Sequence, residues 1–193
     1  MKLLKSISER NSPRAFSNAK VEKEKLELIF EAARWAPSAF NGQPWRFFVA
    51  NKNDNPDFYN EIFNCLIGFN KSWANTAPIF IVTVVKTTFD HNNLPNKHAW
   101  HDLGLAVGNM LNQATEIGLF MHQMAGIEHD KIATLLNLSS ELEPVTVIAL
   151  GYLGKIEDLP AEIQKVENEK QRVRKQLSEI IIYSPLLPTT LHS

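Results

Sequence analysis

The sequence contains one cysteine, almost no net charge and no long apolar run. Because Cys65 is alone, no disulfide can form within the chain, and we expect the protein in the cytosol. The formal net charge of −1 argues against a general nucleic-acid-binding protein, which carries a basic excess. The longest apolar run, at 78–85, is too short to cross a membrane, and polar residues interrupt the N-terminal segment too often for a signal peptide. We therefore expect neither a nucleic-acid partner nor a membrane partner.

Several sequence signatures of catalytic sites are also missing. No strand is followed by G-x-G-x-x-G, so we expect no Rossmann dinucleotide site, and no G-x-S-x-G motif of a serine hydrolase is present. His98 and His101 lie three residues apart, but no acidic or cysteine partner stands at ligand spacing. We therefore expect no bound metal.

The 193 residues, 44% of them hydrophobic, suffice for one domain (1–193) with a sizeable core. Hydrophobic periodicity and β-branched density predict its elements. The predicted helices span 21–36, 55–67, 98–117 and 129–138, and the predicted strands span 45–50, 78–86, 144–152 and 177–183. Helices and strands alternate, but the strands are few, which favours the α+β class or a three-layer α/β arrangement.

Two glycines, Gly104 and Gly108, lie one turn apart in the longest predicted helix. Each internal glycine costs roughly 1 kcal/mol of helix propensity, so a compensating reason is expected. We favour tight packing within the chain, and the alternative is the close approach of a cofactor or a partner subunit.

A short basic segment, RNSPR at 10–14, is poorly suited to a helix. Ser12 precedes a proline, which disfavours the helical conformation, so we expect Arg10, Ser12 and Arg14 on an extended stretch. Alternating residues of such a stretch point the same way. Two guanidiniums and a hydroxyl suit a phosphate monoester. The motif alone slightly favours the other interpretation, two solvated surface arginines.

A second polar segment, APSAFNGQPWRF at 36–47, follows the first long helix. Its loop carries Ser38, Asn41 and Gln43, stiffened by two prolines and flanked by Trp35 and Trp45. Such a loop suits a flat heteroaromatic ring. The alternative is an ordinary connection from a helix to a strand, with the tryptophans in the core.

Together these segments resemble the nitroreductase family of FMN-dependent oxidoreductases. The pattern R-x-S-x-R-x-F lies at 10–16, and APS…N-x-QPW-x-F lies at 36–47. Four more segments follow in the order of the family: HDLGLAVGNMLNQATEIGL at 101–119, HQMAGI at 122–127, ALGYLG at 149–154 and RVRKQLSEIII at 172–182. Each motif alone is weak, and their common order carries the resemblance.

The resemblance implies a fold and an activity. The fold is α+β, with three α/β/α layers, a mostly antiparallel sheet, and a C-terminal strand exchanged in a homodimer. The activity is an FMN-dependent oxidoreductase that takes electrons from NADH or NADPH. Its acceptors are small molecules such as nitroaromatics or quinones, reduced by a ping-pong mechanism.

The resemblance also implies cofactor-binding residues in two basic segments, 10–14 and 172–174. Those expected at the FMN phosphate or ribityl chain are Arg10, Ser12, Arg14, Arg172 and Arg174. Lys175 takes the place of Arg174 if the register shifts by one residue.

The remaining implied residues approach the flavin ring. Those of the polar loop, which belong to the partner subunit, are Pro37, Ser38, Asn41 and Gln43. Asn70 reaches the isoalloxazine, and Ala125 and Gly126 direct backbone N–H groups at its N5 atom. We name no catalytic side chain, because the flavin carries the chemistry.

Two departures from the family bear on the substrate. Trp73 stands where some members have a basic residue, and Phe40 is bulkier than the usual residue of its loop. Both departures bear on the substrate more than on the cofactor. Two alternatives to the preferred function stay open: a flavin-binding or storage protein without turnover, and a specialised enzyme of the same fold with another substrate.

Overall fold

The computed structural model, which describes residues 2–183, is built around one antiparallel sheet. Its strands are β1 (Trp45–Asn51), β2 (Ile79–Lys86), β3 (Phe120–Met124) and β4 (Leu142–Gly151). They are ordered β1-β2-β4-β3, and each neighbouring pair is antiparallel. The predicted α+β class with a mostly antiparallel sheet is confirmed.

Seven α-helices accompany this sheet in residues 2–183. They are α1 (Lys5–Ser8), α2 (Lys23–Arg34), α3 (Pro56–Asn64), α4 (Ala99–Glu116), α5 (His129–Leu135), α6 (Ala161–Asn168) and α7 (Leu177–Ile180). The four helices predicted from periodicity are α2 to α5, with ends that differ from the prediction by at most three residues.

The core lies on both faces of the sheet, because successive residues of a strand point to opposite sides. Phe80 and Val82 of β2 pack into one cluster with α3 and α5. Ile79 and Ile81 of the same strand pack into the other cluster, with α2 and α4. Helices thus cover both faces, and the three-layer arrangement is confirmed.

The strand β3 was not predicted. It has only five residues, and the polar pair His122 and Gln123 interrupts its apolar pattern. Pairing with β4, for example Met121 opposite Leu150, supplies the backbone hydrogen bonds that make it a strand. Gly118 adopts a φ of 77° just after α4, as expected of a residue that ends a helix.

The prediction of a strand over 177–183 is wrong. Leu177–Ile180 form the helical turn α7, and residues 181–183 have no regular structure. The Gln176 backbone N–H donates to Glu179 Oε2 at 2.7 Å, a contact that starts a helix. Within the described residues no strand pairs with this segment, so its β-branched residues lack the hydrogen bonds of a sheet.

The expected tight packing of Gly104 and Gly108 is also wrong within the described part of the chain. A Cβ atom added at either position meets no heavy atom within 4 Å. Both glycines instead line a groove of about 180 Å³ beside Trp100 and Leu111. The alternative of an outside partner stays open.

No helix in residues 2–183 has the length and apolar character needed to cross a membrane.

Candidate functional site

The basic segment 10–14 is fixed at one end of the sheet. The residues after it pair with the turn after β4: the N–H of Ser17 donates to the Tyr152 carbonyl at 2.9 Å, and that of Gly154 to the Ala15 carbonyl at 3.0 Å. Only glycine fits at 154, because a Cβ there would lie 2.5 Å from the Phe16 carbonyl carbon. The segment is not helical, as predicted.

Three guanidiniums gather beside this segment, and we call Arg10, Arg172 and Arg174 the arginine cluster. Arg10 donates to Ser12 Oγ at 3.1 Å, while Arg172 donates to the carbonyls of Ser8 and, at 2.8 Å, Ile7. Burial, and then the positive charges of Arg172 and Arg174, lower the pKa of Arg10. Among residues 2–183 no carboxylate forms an ion pair with any member. Within the described part of the chain, the cluster is therefore a positive charge without an ion-pair partner.

Arg14 belongs to a different arrangement, which we call the Glu167 group: Arg14, Glu167 and Lys170. Arg14 Nη1 lies 2.8 Å from Glu167 Oε2, and Lys170 Nζ lies 3.2 Å from Glu167 Oε1. The side chain of Glu167 is only 9% exposed. Burial alone would raise the pKa of Glu167, but hydrogen bonds from Arg14 and Lys170 outweigh it and the pKa is lowered. The carboxylate is therefore ionised at neutral pH.

Members of both groups line one cavity of about 500 Å³: Arg172 of the arginine cluster, and Glu167 and Lys170 of the Glu167 group. Asn11 and Pro13 of the basic segment line the same cavity. An anion that enters it meets the positive charge of Arg172 and Lys170 and the negative charge of Glu167.

The structure brings Asn70 and Gly126 together, although they are far apart in the sequence. Asn70 Nδ2 donates to the Gly126 carbonyl at 3.3 Å. A Cβ added to Gly126 would lie 2.8 Å from the same nitrogen, so glycine permits the contact. The guanidinium carbon of Arg14 lies over the ring of Phe69, the residue before Asn70, at 5.3 Å from the ring centroid. Ala125 and Gly126 follow β3 directly, so this strand places them beside the basic segment.

His122 supports the basic segment from beneath, a role that sequence analysis missed. Its Nδ1 lies 2.8 Å from the Pro13 carbonyl, and its ring packs 4.4 Å from the fully buried Trp73. Burial lowers the pKa of His122 to about 4, and the positive charges of Arg14 and Lys170 act in the same direction. The imidazole is therefore neutral at pH 7. Trp73 is a core residue.

The polar loop 37–43 is strained. Phe40, Asn41 and Gln43 have φ values of 52°, 53° and 44°, in the left-handed region that side chains disfavour. Ser38 Oγ accepts from the Gln43 backbone N–H at 3.0 Å, and the buried Asp102 of α4 accepts from the Ala39 N–H at 2.9 Å. Strain that the surroundings maintain is typical of functional loops. The sequence did not reveal the role of Asp102.

The same loop exposes an aromatic side chain. Phe40 is 83% exposed and lies 5.6 Å from the Phe89 ring, edge to face. Of the two flanking tryptophans, Trp35 is exposed and Trp45 is buried in the core.

Within residues 2–183, no hydrogen bond, ion pair or aromatic contact joins the loop 37–43 to the basic segment or to the contact of Asn70 with Gly126. One copy of the described chain thus presents two separate groups of the expected site residues.

The central antiparallel sheet with helices on both faces places the chain among the three-layer α+β proteins. Over residues 7–70 and 68–152 its sequence matches the model of the Nitroreductase family, and the chain belongs to this family.

Similar proteins fit this assignment. A crystal structure described as an oxidoreductase containing FMN is 29% identical, with a TM-score of 0.86 and coverage of 97% of this chain and 94% of the other. A nitroreductase family protein of Clostridium difficile 630 is 28% identical, with a TM-score of 0.72 and coverage of 96% and 100%. The FMN reductase (NAD(P)H) of Bacillus subtilis strain 168 is 21% identical over 78% of this chain and 65% of its own length.

Proposed function

We propose that the protein is an FMN-dependent oxidoreductase that takes electrons from NADH or NADPH and passes them to a small acceptor. Family membership and the FMN in the name of the similar oxidoreductase structure support this proposal. The observation that carries it is the arginine cluster, three guanidiniums without a carboxylate in the described chain. A phosphate dianion supplies the charge and the acceptor oxygens that such a cluster lacks.

The residues present fit FMN. Arg10, Ser12, Arg172 and Arg174 offer charged and hydroxyl donors for its phosphate, and Arg14 pairs with Glu167, which lines the same cavity as Arg172. A Cβ atom at Gly126 would lie 2.8 Å from Asn70 Nδ2, so glycine is needed there for the contact with Asn70. In this proposal the N–H groups of Ala125 and Gly126 face the isoalloxazine.

Bound FMN supplies the transfer of hydride and electrons. The chain contributes binding and orientation: the basic segment holds the phosphate end, and the 125–126 backbone holds the ring. The polar loop of a second copy, with Pro37, Ser38, Asn41 and Gln43, covers the ring and limits access of water.

We further propose a ping-pong mechanism with nitroaromatics or quinones as acceptors. The absence of a Rossmann motif supports it, because the nicotinamide and the acceptor then share the space at the flavin. The exposed Phe40 on the covering loop narrows that space and favours flat acceptors. Parallel lines in double-reciprocal plots are expected, and intersecting lines contradict the shared space.

A homodimer completes the site in this proposal. The two groups of site residues do not meet within the described chain, and the terminal segments expose apolar side chains such as Leu4, Val173, Leu177 and Ile182. The groove at Gly104 and Gly108 offers a second surface for close helix contact. Light scattering is expected to give about twice the chain mass of 21.9 kDa.

The direct test is the absorbance of the purified protein. Flavin absorbance that NADH or NADPH bleaches rapidly supports the oxidoreductase. Bound flavin that neither nucleotide reduces supports the alternative of a storage protein. Cys65 is buried and is the single cysteine of the sequence, so no disulfide forms within the chain, which favours the cytosol as the proposed compartment.

A further inference from the structure

A buried carboxylate lies in the cavity that the arginine cluster borders, although the expected ligand there is an anion. Glu167 and Arg172 line this cavity together. A carboxylate and a phosphate offer similar oxygen acceptors to an arginine fork. Glu167 thus makes with Arg14 the kind of contact that a phosphate makes.

The fold holds Glu167 in this position. Glu167 lies one turn after Ile163 on the same face of α6, and Ile163 is buried in the core. The start of the helix is tied down by Gln164 Nε2, which donates to the Leu159 carbonyl at 2.8 Å. The carboxylate is therefore a fixed part of the cavity wall.

Ser12 connects the two groups of charge. Its hydroxyl accepts from Arg10, and its carbonyl accepts from Lys170, which itself pairs with Glu167. Ser12 thus contacts a member of each group, and salt screens the charge of Glu167, whose side chain is only 9% exposed, less than it screens an exposed charge. A negative charge at Glu167 acts on any anion held by the cluster.

We propose that Glu167 is a built-in counter-charge that weakens the attraction of this site for the FMN phosphate by neutralising Arg14 and Lys170. The inference rests on the proposed binding of FMN. It assigns the phosphate to Arg10, Ser12, Arg172 and Arg174, and it leaves Arg14 to the ribityl chain. Glu167 in this role tunes affinity and touches no reacting atom.

Comparison of FMN with riboflavin isolates the phosphate, because riboflavin lacks only that group. Dissociation constants for both flavins are measured by fluorescence titration of the apoprotein, for the wild type and for Glu167→Gln. Glutamine keeps the shape and one acceptor but removes the charge. We expect FMN to bind about three- to tenfold more tightly to the variant, because the change removes one partly screened negative charge near the phosphate. The affinity for riboflavin is expected to stay the same.

Arg14→Met and the double variant Arg14→Met/Glu167→Gln complete a thermodynamic cycle. The single Arg14 change leaves Glu167 undercompensated, so the preference for FMN over riboflavin is expected to fall. The double variant removes both charges, and its preference for FMN over riboflavin is expected to return to within about twofold of that of the wild type. If Glu167→Gln alone does not fold, the comparison of the double variant with Arg14→Met still tests the proposal.

Glu169→Gln is the matched control. It makes the same charge change two residues away, where the side chain is exposed. Its FMN affinity is expected to change less than twofold. Melting temperatures of all apoproteins establish that the variants are folded.

Two results overturn the counter-charge. One is a folded Glu167→Gln variant with unchanged or weaker FMN binding, and the other is a double variant that prefers FMN as poorly as Arg14→Met. Failure of the proposed function looks different, because the wild type then binds FMN no better than riboflavin, or binds neither.

Discussion

Two groups of positive charge lie side by side in this protein, and they differ in one respect. The arginine cluster has no carboxylate partner in the described residues, whereas Arg14 and Lys170 share Glu167. In the sequence, Arg10 and Arg14 look equivalent, as the two ends of R-x-S-x-R. The difference shows that the partner of each arginine, and not the motif, decides whether its charge is available to a ligand.

The largest expected effect is the loss of FMN binding in Arg10→Ala. Removal of a charged donor from the cluster is expected to cost about 1.5–3 kcal/mol, or roughly ten- to a hundredfold in affinity. Fluorescence titration with FMN and riboflavin measures it, and the riboflavin affinity should hardly change. Arg34→Ala, on the exposed face of α2, is the control. Equal FMN affinity in Arg10→Ala and Arg34→Ala would contradict binding of the FMN phosphate by the arginine cluster.

Acid is expected to destabilise the side of the site where His122 lies. The pKa of about 4 in the folded protein is below the ordinary value of 6.5, so protons bind preferentially to the unfolded chain. Stability is therefore full above pH 6.5 and falls as the pH drops toward 4, by about 2 kcal/mol at pH 5.

Urea unfolding of the apoprotein at pH 7.5 and at pH 5 measures this loss, because the first pH lies above both pKa values of His122 and the second lies between them. His122→Gln keeps a donor for the Pro13 carbonyl but does not titrate. The variant should lose about 2 kcal/mol less than the wild type over the same range. Identical pH profiles mean that His122 is solvated in solution. The charges facing His122 in the structure are Arg14, Lys170 and Glu167.

Arg14 is expected to matter more than Arg10 for the stability of the apoprotein, whereas Arg10 is expected to matter more for FMN affinity. Arg14→Ala leaves the buried Glu167 with Lys170 alone, and we expect a loss of about 1–2 kcal/mol, below the range for a fully buried pair because Arg14 keeps some exposure. Arg10→Ala relieves repulsion within the cluster and should leave the free energy of unfolding unchanged or slightly higher. Urea denaturation of both variants compares them, and a larger loss in Arg10→Ala contradicts the distinction.

The smallest expected effect is that of salt. Raising ionic strength from about 0.05 M to 0.5 M shortens the screening length several-fold, so FMN binding by the partly exposed cluster should weaken about two- to fourfold. The stability difference between wild type and Arg14→Ala, which reports a more buried pair, should change little. Salt-independent FMN binding argues against a charge-based site.

Much of the fold could be predicted from the sequence because local patterns determine it. The stripe of Ile29 and Ala33 matches the period of a helix, and the β-branched run of β2 matches a buried strand. Ser12 before Pro13 excludes a helix at the basic segment through local sterics. The order of short motifs indicated the family, and the match over 7–70 and 68–152 confirmed it.

Only the tertiary structure decided the rest. β3 was missed because hydrogen bonds to β4 make it a strand despite its weak local pattern. α7 was missed because its segment has no strand partner within residues 2–183, so its β propensity did not decide its structure. Arg14 and Glu167 are 153 positions apart, and no local pattern relates them. The sequence by itself determined which donor side chains the basic segments contain. The folded chain decided which of them are already neutralised, because the partner of a charge depends on distance in space and on burial.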